Sequence, residues 1–212
     1  MLPGNTVSFQ IFYMNTFLKY SLIHFLILTF FITHFSFGQK PTIGIKAGLV
    51  FSNATISSIS PDTYFKTLGK TSVLGGAYLN LPSGKKLIFR PGAEIVSKGG
   101  KEGYDGNYGN YSYPIKFTFV DFPINILYKI NCTNGYLLAG GGPVIGVPIR
   151  DEFSQYALKT EFSINGVIGY EIPIGASINL NYTYGLNNVN KDNQFISKIS
   201  NRYLGITIGY TF

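Results

Sequence analysis

Acid–base catalysis needs positioned carboxylates, nucleophilic catalysis needs a base beside a hydroxyl or thiol, and metal sites need clustered soft or acidic ligands. The chain of 212 residues offers ten Asp and Glu, two His and one Cys for such work. Both histidines, His24 and His34, lie in an apolar N-terminal run, and Cys132 is alone. With that run removed no imidazole is left, which excludes Ser-His-Asp and Cys-His catalysis and histidine-ligated zinc. The remaining polar candidates are Lys46, Arg90, Glu94, Lys98, Asp121, Asn125, Lys129, Glu161, Asn165 and Glu171. Glu94 and Glu161 have the chemistry for acid–base work. The near balance of acids and bases in the set points instead to mutual pairing in a dry interior. There, removing one partner of a buried pair costs about 3–5 kcal/mol. The expectation is therefore a structural polar network of Lys46, Arg90, Glu94, Asp121, Lys129 and Glu161, with no catalytic residue, cofactor or metal. The chain reads as non-enzymatic.

Such a network needs elements that hold it, and composition narrows them. Hydrophobic residues make up 45% of the chain and charged ones 13%, with 25 glycines and no tryptophan. A disordered charged tail, a collagen and a disulfide scaffold are excluded. The net charge of +7 is not a nucleic-acid footprint, because the basic residues are scattered and Lys85-Lys86 is the densest pair.

The N-terminus reads as a targeting segment. Lys19 precedes an apolar stretch running to Phe37, and Ser36-Phe37-Gly38 closes it with small residues at its first and third positions. Positive start, apolar middle and small-x-small end are the parts of a secretory signal peptide. The expected leader begins at Met14, within domain 1–38, and is cut between Gly38 and Gln39. Residues 39–212 form the second domain. No cysteine follows the cut, so a lipid anchor there is excluded.

After residue 39 apolar residues recur at every second position, the period of a strand with two unlike faces. Ile43, Ile45, Ala47, Leu49 and Phe51 share one face and Thr42, Gly44, Lys46, Gly48 and Ser52 the other, with Val50 an exception. Strands are expected at 42–52, 71–81, 86–98, 115–130, 136–149, 160–171, 174–186 and 201–212. The connections near Pro82, Asn131 and Pro173 are short; those at 53–70, 99–114, 151–159 and 187–200 are long. Even strand number and alternating loop lengths are features of transmembrane barrels. A water-soluble barrel also alternates, with the opposite face outward. Short polar and glycine residues on the polar stripe suit a narrow lumen, and Tyr128, Tyr136, Tyr170, Tyr182, Tyr184, Tyr203 and Tyr210 near strand ends suit an interfacial girdle. The expected fold is all-β: an eight-stranded antiparallel up-and-down transmembrane barrel.

Several motifs fall in order along this chain. They are Gly44-x-Lys46-Ala47-Gly48, Asp121-Phe122-Pro123-Ile124 running to Tyr128-Lys129, Gly140-Gly141-Gly142-Pro143, Gly166-x-x-Gly169 and Tyr182-x-Tyr184-Gly185-Leu186. In these motifs the chain resembles the PorT-like small outer-membrane barrels of Gram-negative bacteria, over essentially all of residues 39–212. It departs from them at Asn165, where the family often has an acidic residue. The resemblance implies a barrel in the outer membrane. The family's named member takes part in type IX protein export, and most relatives have no assigned role, so the resemblance implies no secretion function.

Three functions fit a barrel with these residues. The first is a non-enzymatic barrel with a plugged interior and external loops that contact a surface or export partner. A narrow diffusion channel for small solutes is the second, and a lipid-modifying enzyme is the weakest. Residues 98–114 hold five glycines and four tyrosines, an adaptable contact surface. Asp105-Gly106-Asn107 in that stretch resembles a fragment of a calcium loop without its later acidic ligands. Asn131-Cys132-Thr133 is an N-x-T triplet of no weight, and Cys132 reads as a free surface thiol. The expected partners are outer-membrane lipid and the barrel-assembly machinery, with no nucleic acid. The last strand carries Ile208, Tyr210 and Phe212 on one face, resembling a C-terminal assembly signal, and must pair with the first strand to leave no free edge in hydrocarbon.

Overall fold

The computed structural model describes residues 40–58, 66–106, 109–151, 158–190 and 196–212. The leader expected at 14–38 and its cut between Gly38 and Gln39 lie outside the described residues. Among the described residues nine strands follow in order: β1 (Thr42–Ser58), β2 (Lys66–Leu68), β3 (Lys70–Ser83), β4 (Leu87–Gly106), β5 (Gly109–Cys132), β6 (Gly135–Asp151), β7 (Glu161–Glu171), β8 (Ala176–Gly185) and β9 (Ile196–Thr211). All ladders are antiparallel. Eight of the strands close into a barrel, and the three-residue β2 pairs with Lys101–Gly103 of β4 on the edge that β3 uses lower down.

Closure runs between the first strand and the last. β1 pairs with β9 from Gly44 opposite Thr211 up to Ser58 opposite Ile196, with one bulge at Ser57/Ser58, and Phe212 N donates to Ile43 O. No strand edge of the eight faces hydrocarbon, as a membrane-spanning sheet requires.

The two faces of the wall are inverted relative to a water-soluble barrel. Apolar side chains point outward, with Ile126 59% and Ile208 69% exposed. Lys98, Asp121 and Glu161 point inward and are buried. In water that exterior would leave far more contiguous apolar surface bare than a soluble monomer carries; against lipid it is the stable face. Val50, the exception to the β1 alternation, turns inward among Leu74, Val96 and Phe119.

Several expectations about segments need correction. The connection at 99–114 continues the ladder instead of looping: Gly99 pairs with Lys116, Glu102 with Tyr113 and Gly106 with Gly109. Interspersed glycines hid the strand period there, yet a local hairpin needs only neighbouring partners to extend. β1 likewise runs on through residues 53–58 of an expected loop. Ile174, expected in a strand, sits in a tight turn, because Gly175 takes φ +89 and a Cβ there would meet Thr211 O. Cys132 ends β5 and is exposed, and the turn is Thr133-Asn134 alone. Of the seven tyrosines expected in the girdle, Tyr128, Tyr182, Tyr184 and Tyr210 point outward, whereas Tyr203 and Tyr136 turn into the lumen.

Candidate functional site

The lumen is the chemically distinctive region, and the strand period decides which residues enter it. Lys46 on β1, Arg90, Glu94 and Lys98 on β4, Asp121 on β5, and Glu161 and Glu171 on β7 all project inward. They divide into three groups along the barrel axis.

Toward the long-loop end the group centres on Lys98. Its Nζ lies 2.7 Å from Asp121 Oδ2 and 3.2 Å from Glu161 Oε1, with all three side chains at 0–1% exposure. Ser163 Oγ donates to Glu161 Oε1 at 2.8 Å and Asn201 Nδ2 to Oε2 at 2.7 Å. The ammonium also sits 4.6 Å from the centre of the Phe119 ring. Tyr203 lies 5.6 Å away, and both rings belong to an apolar cluster with Val50, Leu74, Val96, Phe117 and Ile199. Val189, from the segment after β8, and half-buried Leu158 cap that cluster. That cap is held by backbone bonds from Lys159 N to Val189 O and from Val189 N to Ile199 O. Desolvated charges are stable only when paired and hydrogen-bonded, and here each has partners.

Half-way down, Lys46 Nζ reaches Glu94 Oε1 at 2.9 Å. The two carboxylates suited to acid–base work are both ion-paired, Glu94 with Lys46 and Glu161 with the Lys98 it shares with Asp121.

At the short-turn end the group centres on Arg90. Its Nε donates to Asn80 Oδ1 at 2.6 Å and its guanidinium stacks on Tyr78, 4.5 Å from the ring centre. Glu171 is farther, at 3.9 Å from Nη2, and accepts instead from the Tyr136 and Thr211 hydroxyls. Lys129, expected in the carboxylate network, instead places its ammonium 3.8 Å above the Tyr136 ring. It is half-buried near the barrel mouth, where hydration competes with ion pairing. Arg90 and Glu94, four residues apart on one face, share no partner: one takes Asn80 and Tyr78, the other Lys46. A second apolar cluster, Ile88, Leu127, Leu138 and Val167, fills the lumen beside this group.

An apolar exterior, a polar and packed lumen and a β1–β9 seam are now in place. This is the fold of a small outer-membrane β-barrel. Among solved structures the chain is similar to the outer membrane protein OprG from Pseudomonas aeruginosa, at 13% identity and a TM-score of 0.54, over 82% of this chain and 97% of that one. Ail, the attachment invasion locus protein of Yersinia pestis, aligns at 11% identity and a TM-score of 0.46, over 82% of this chain and all of its own. No protein-family model matches the chain, and no curated protein matches it. At such identities the likeness is one of fold.

Within that fold the residues missed from sequence are the ones that complete the plug. Lys98 and Glu171 lay on the polar stripe but outside the expected network, and Asn201 and Tyr203 carried no signal of a lumenal role. Val189 is the one legible clue, an apolar residue inside Asn187-Asn188-Val189-Asn190.

Proposed function

We propose that this chain is a non-enzymatic barrel of the outer membrane of a Gram-negative bacterium, closed to solutes by its own side chains. The carrying observation is Lys98, wholly buried between Asp121 and Glu161 and beside the Phe119 and Tyr203 rings of an apolar cluster. An eight-stranded barrel is just wide enough for side chains to fill, and a charge enclosed this way marks a lumen without a water path at that level. The reading includes delivery by the 14–38 leader and insertion by the barrel-assembly machinery through Ile208, Tyr210 and Phe212. By the usual orientation of such barrels the short turns face the periplasm. The β4–β5 hairpin then stands outside, on the side a surface or export partner would approach. The resemblance to PorT-like barrels agrees with the location and adds no secretion role.

Planar-bilayer recording on the purified protein tests this. The plugged barrel passes no steady current; stable open-channel steps would refute it. A narrow diffusion channel is the second reading, favoured by one observation. Below the plug the buried amide oxygens of Asn125, Asn165 and Asn179 have no hydrogen-bond partner, so one side of the lumen is polar beyond what its own contacts use. The same recording separates the two.

A further inference from the structure

The short-turn rim of the barrel is charged on one side only. Going round the wall, β1, β3, β4 and β5 are consecutive, and this half of the rim holds four lysines. Lys40 lies two residues before β1, Lys85 and Lys86 form the β3–β4 turn with Gly84, and Lys129 lies near the end of β5. Gly84 takes φ +67, the left-handed conformation that lets so short a turn close and sets both lysines at its tip. Lys40, Lys85 and Lys86 are exposed and Lys129 is half-buried. The half from β6 to β9 instead presents Thr133, Asn134, Pro173, Ile174 and Phe212. Two acids stand at this level. Glu171 is buried and accepts from the Tyr136 and Thr211 hydroxyls, and the other is the terminal carboxylate of Phe212. Among the described residues none of the four lysines is in an ion pair.

The placement of these charges works against the fold on its own. Lys129 N donates to Lys86 O at 2.6 Å, which sets the two lysines opposite each other across β4 and β5. Like charges so opposed are destabilising, and Lys85 adds a third cation beside them. Rings take up part of the repulsion. Lys86 Nζ lies 5.7 Å from the centre of the Tyr128 ring, and Lys129 Nζ lies 3.8 Å from that of Tyr136. Tyr128 faces outward beside outward Leu87, Ile126 and Ile130. The Lys86 charge thus stands on the outer side of the wall, at the lower border of the apolar belt.

We propose that this half-rim binds an anionic glycerophospholipid of the leaflet at the short-turn end. Lys85 and Lys86 hold its phosphate, Lys40 and Lys129 strengthen the local positive potential, and its acyl chains run along Leu87, Ile126 and Ile130. Charge complementarity selects the head. The outward ring under Lys86 and the belt that begins there select a lipid over a soluble polyanion. The inference rests on the membrane placement proposed above, and in the usual orientation the leaflet is the periplasmic one.

The test uses the full mature barrel in phosphatidylcholine vesicles, its folding read by heat-modifiable mobility, with a trace of phosphatidylglycerol carrying a photoactivatable acyl chain. Adducts mapped by mass spectrometry should concentrate on Leu87 and on residues 126–130. Unlabelled phosphatidylglycerol should displace them at a concentration lower than phosphatidylcholine by about fivefold for each lysine engaged. The preference should fade in 1 M salt, where screening acts within about 3 Å. Lys85→Gln with Lys86→Gln, both on an exposed turn, should abolish the concentration of adducts, and Lys159→Gln at the long-loop end should leave it. Adducts spread evenly round the belt, equal displacement by the two lipids, or adducts unchanged in the double variant would overturn the site. Co-sedimentation with insoluble cell wall that the double variant loses, with adducts unchanged, would assign the rim to a soluble-phase polyanion and overturn the lipid. Absence of a heat-modifiable band in vesicles would overturn the membrane placement as well, whereas a folded barrel with even adducts overturns this inference alone.

Discussion

The two ends of the lumen use the same side-chain types to different effect. At the loop end Lys98 is held at 2.7–3.2 Å by two carboxylates, while at the short-turn end Arg90 keeps 3.9 Å from Glu171 and bonds an amide and a ring instead. The surroundings account for the difference. Phe117, Phe119, Val189 and Ile199 form an apolar cluster beside Lys98, and its charge is matched by two carboxylates. Tyr78, Tyr136, Thr211 and Asn80 surround Arg90 and Glu171 with neutral polar groups that do part of that work. Ion pairs tighten where nothing else can solvate the charge.

The harshest way to break the comparison removes the short-turn end of the seam. Deleting Tyr210–Phe212 takes away Thr211, which bonds Tyr78 and Glu171, and the last rungs between β9 and β1. The product should cross the inner membrane and fail to insert, accumulating or being degraded in the periplasm. Fractionation with heat-modifiable gel mobility reads this, and a folded outer-membrane band would show the seam to be dispensable.

Lys98→Met should be the costliest single change, lowering unfolding free energy by about 3–5 kcal/mol as Asp121 and Glu161 lose their shared cation. Denaturant titration in detergent micelles measures it. Next comes Glu94→Ala, at about 1–3 kcal/mol, because Lys46 loses its acceptor but keeps 13% exposure through which water can reach it. Glu102→Ala, in the hairpin extension of β4, should stay within about 0.5 kcal/mol; equal effects for the two acids would remove the case for a structural network. Arg90→Met should cost least of the lumenal charges, about 1 kcal/mol, since Glu171 retains its Tyr136 and Thr211 bonds. A loss as large as that for Lys98→Met would erase the distinction between the two ends.

Much of the fold was legible because a two-residue period assigns faces directly. The alternation on β1, β7, β8 and β9 separates wall from lumen residue by residue, and a closed sheet follows from forbidding free edges in lipid. The 99–114 hairpin was not legible, since alternating glycine and tyrosine reads equally as loop chemistry. The polar stripe was legible as a set of residues but not as pairs. Which lysine meets which carboxylate depends on the stagger between strands, and this puts Lys98 beside Asp121 and Glu161 while Lys129 stays near the mouth. Val50 looked like a break in a pattern and, with Val189, is part of the plug.

The central claim is that the lumen is dry at the level of Lys98. Ser163 sits there, 3% exposed and bonded to Glu161. In a Cys132→Ser background, Ser163→Cys places a near-isosteric thiol inside the plug. A small water-soluble maleimide added to the folded barrel should leave that thiol unmodified for hours and label it fully after heat unfolding. Labelling of the folded barrel within minutes would contradict the account, because water and solute would then be reaching the ion pair that is meant to exclude them.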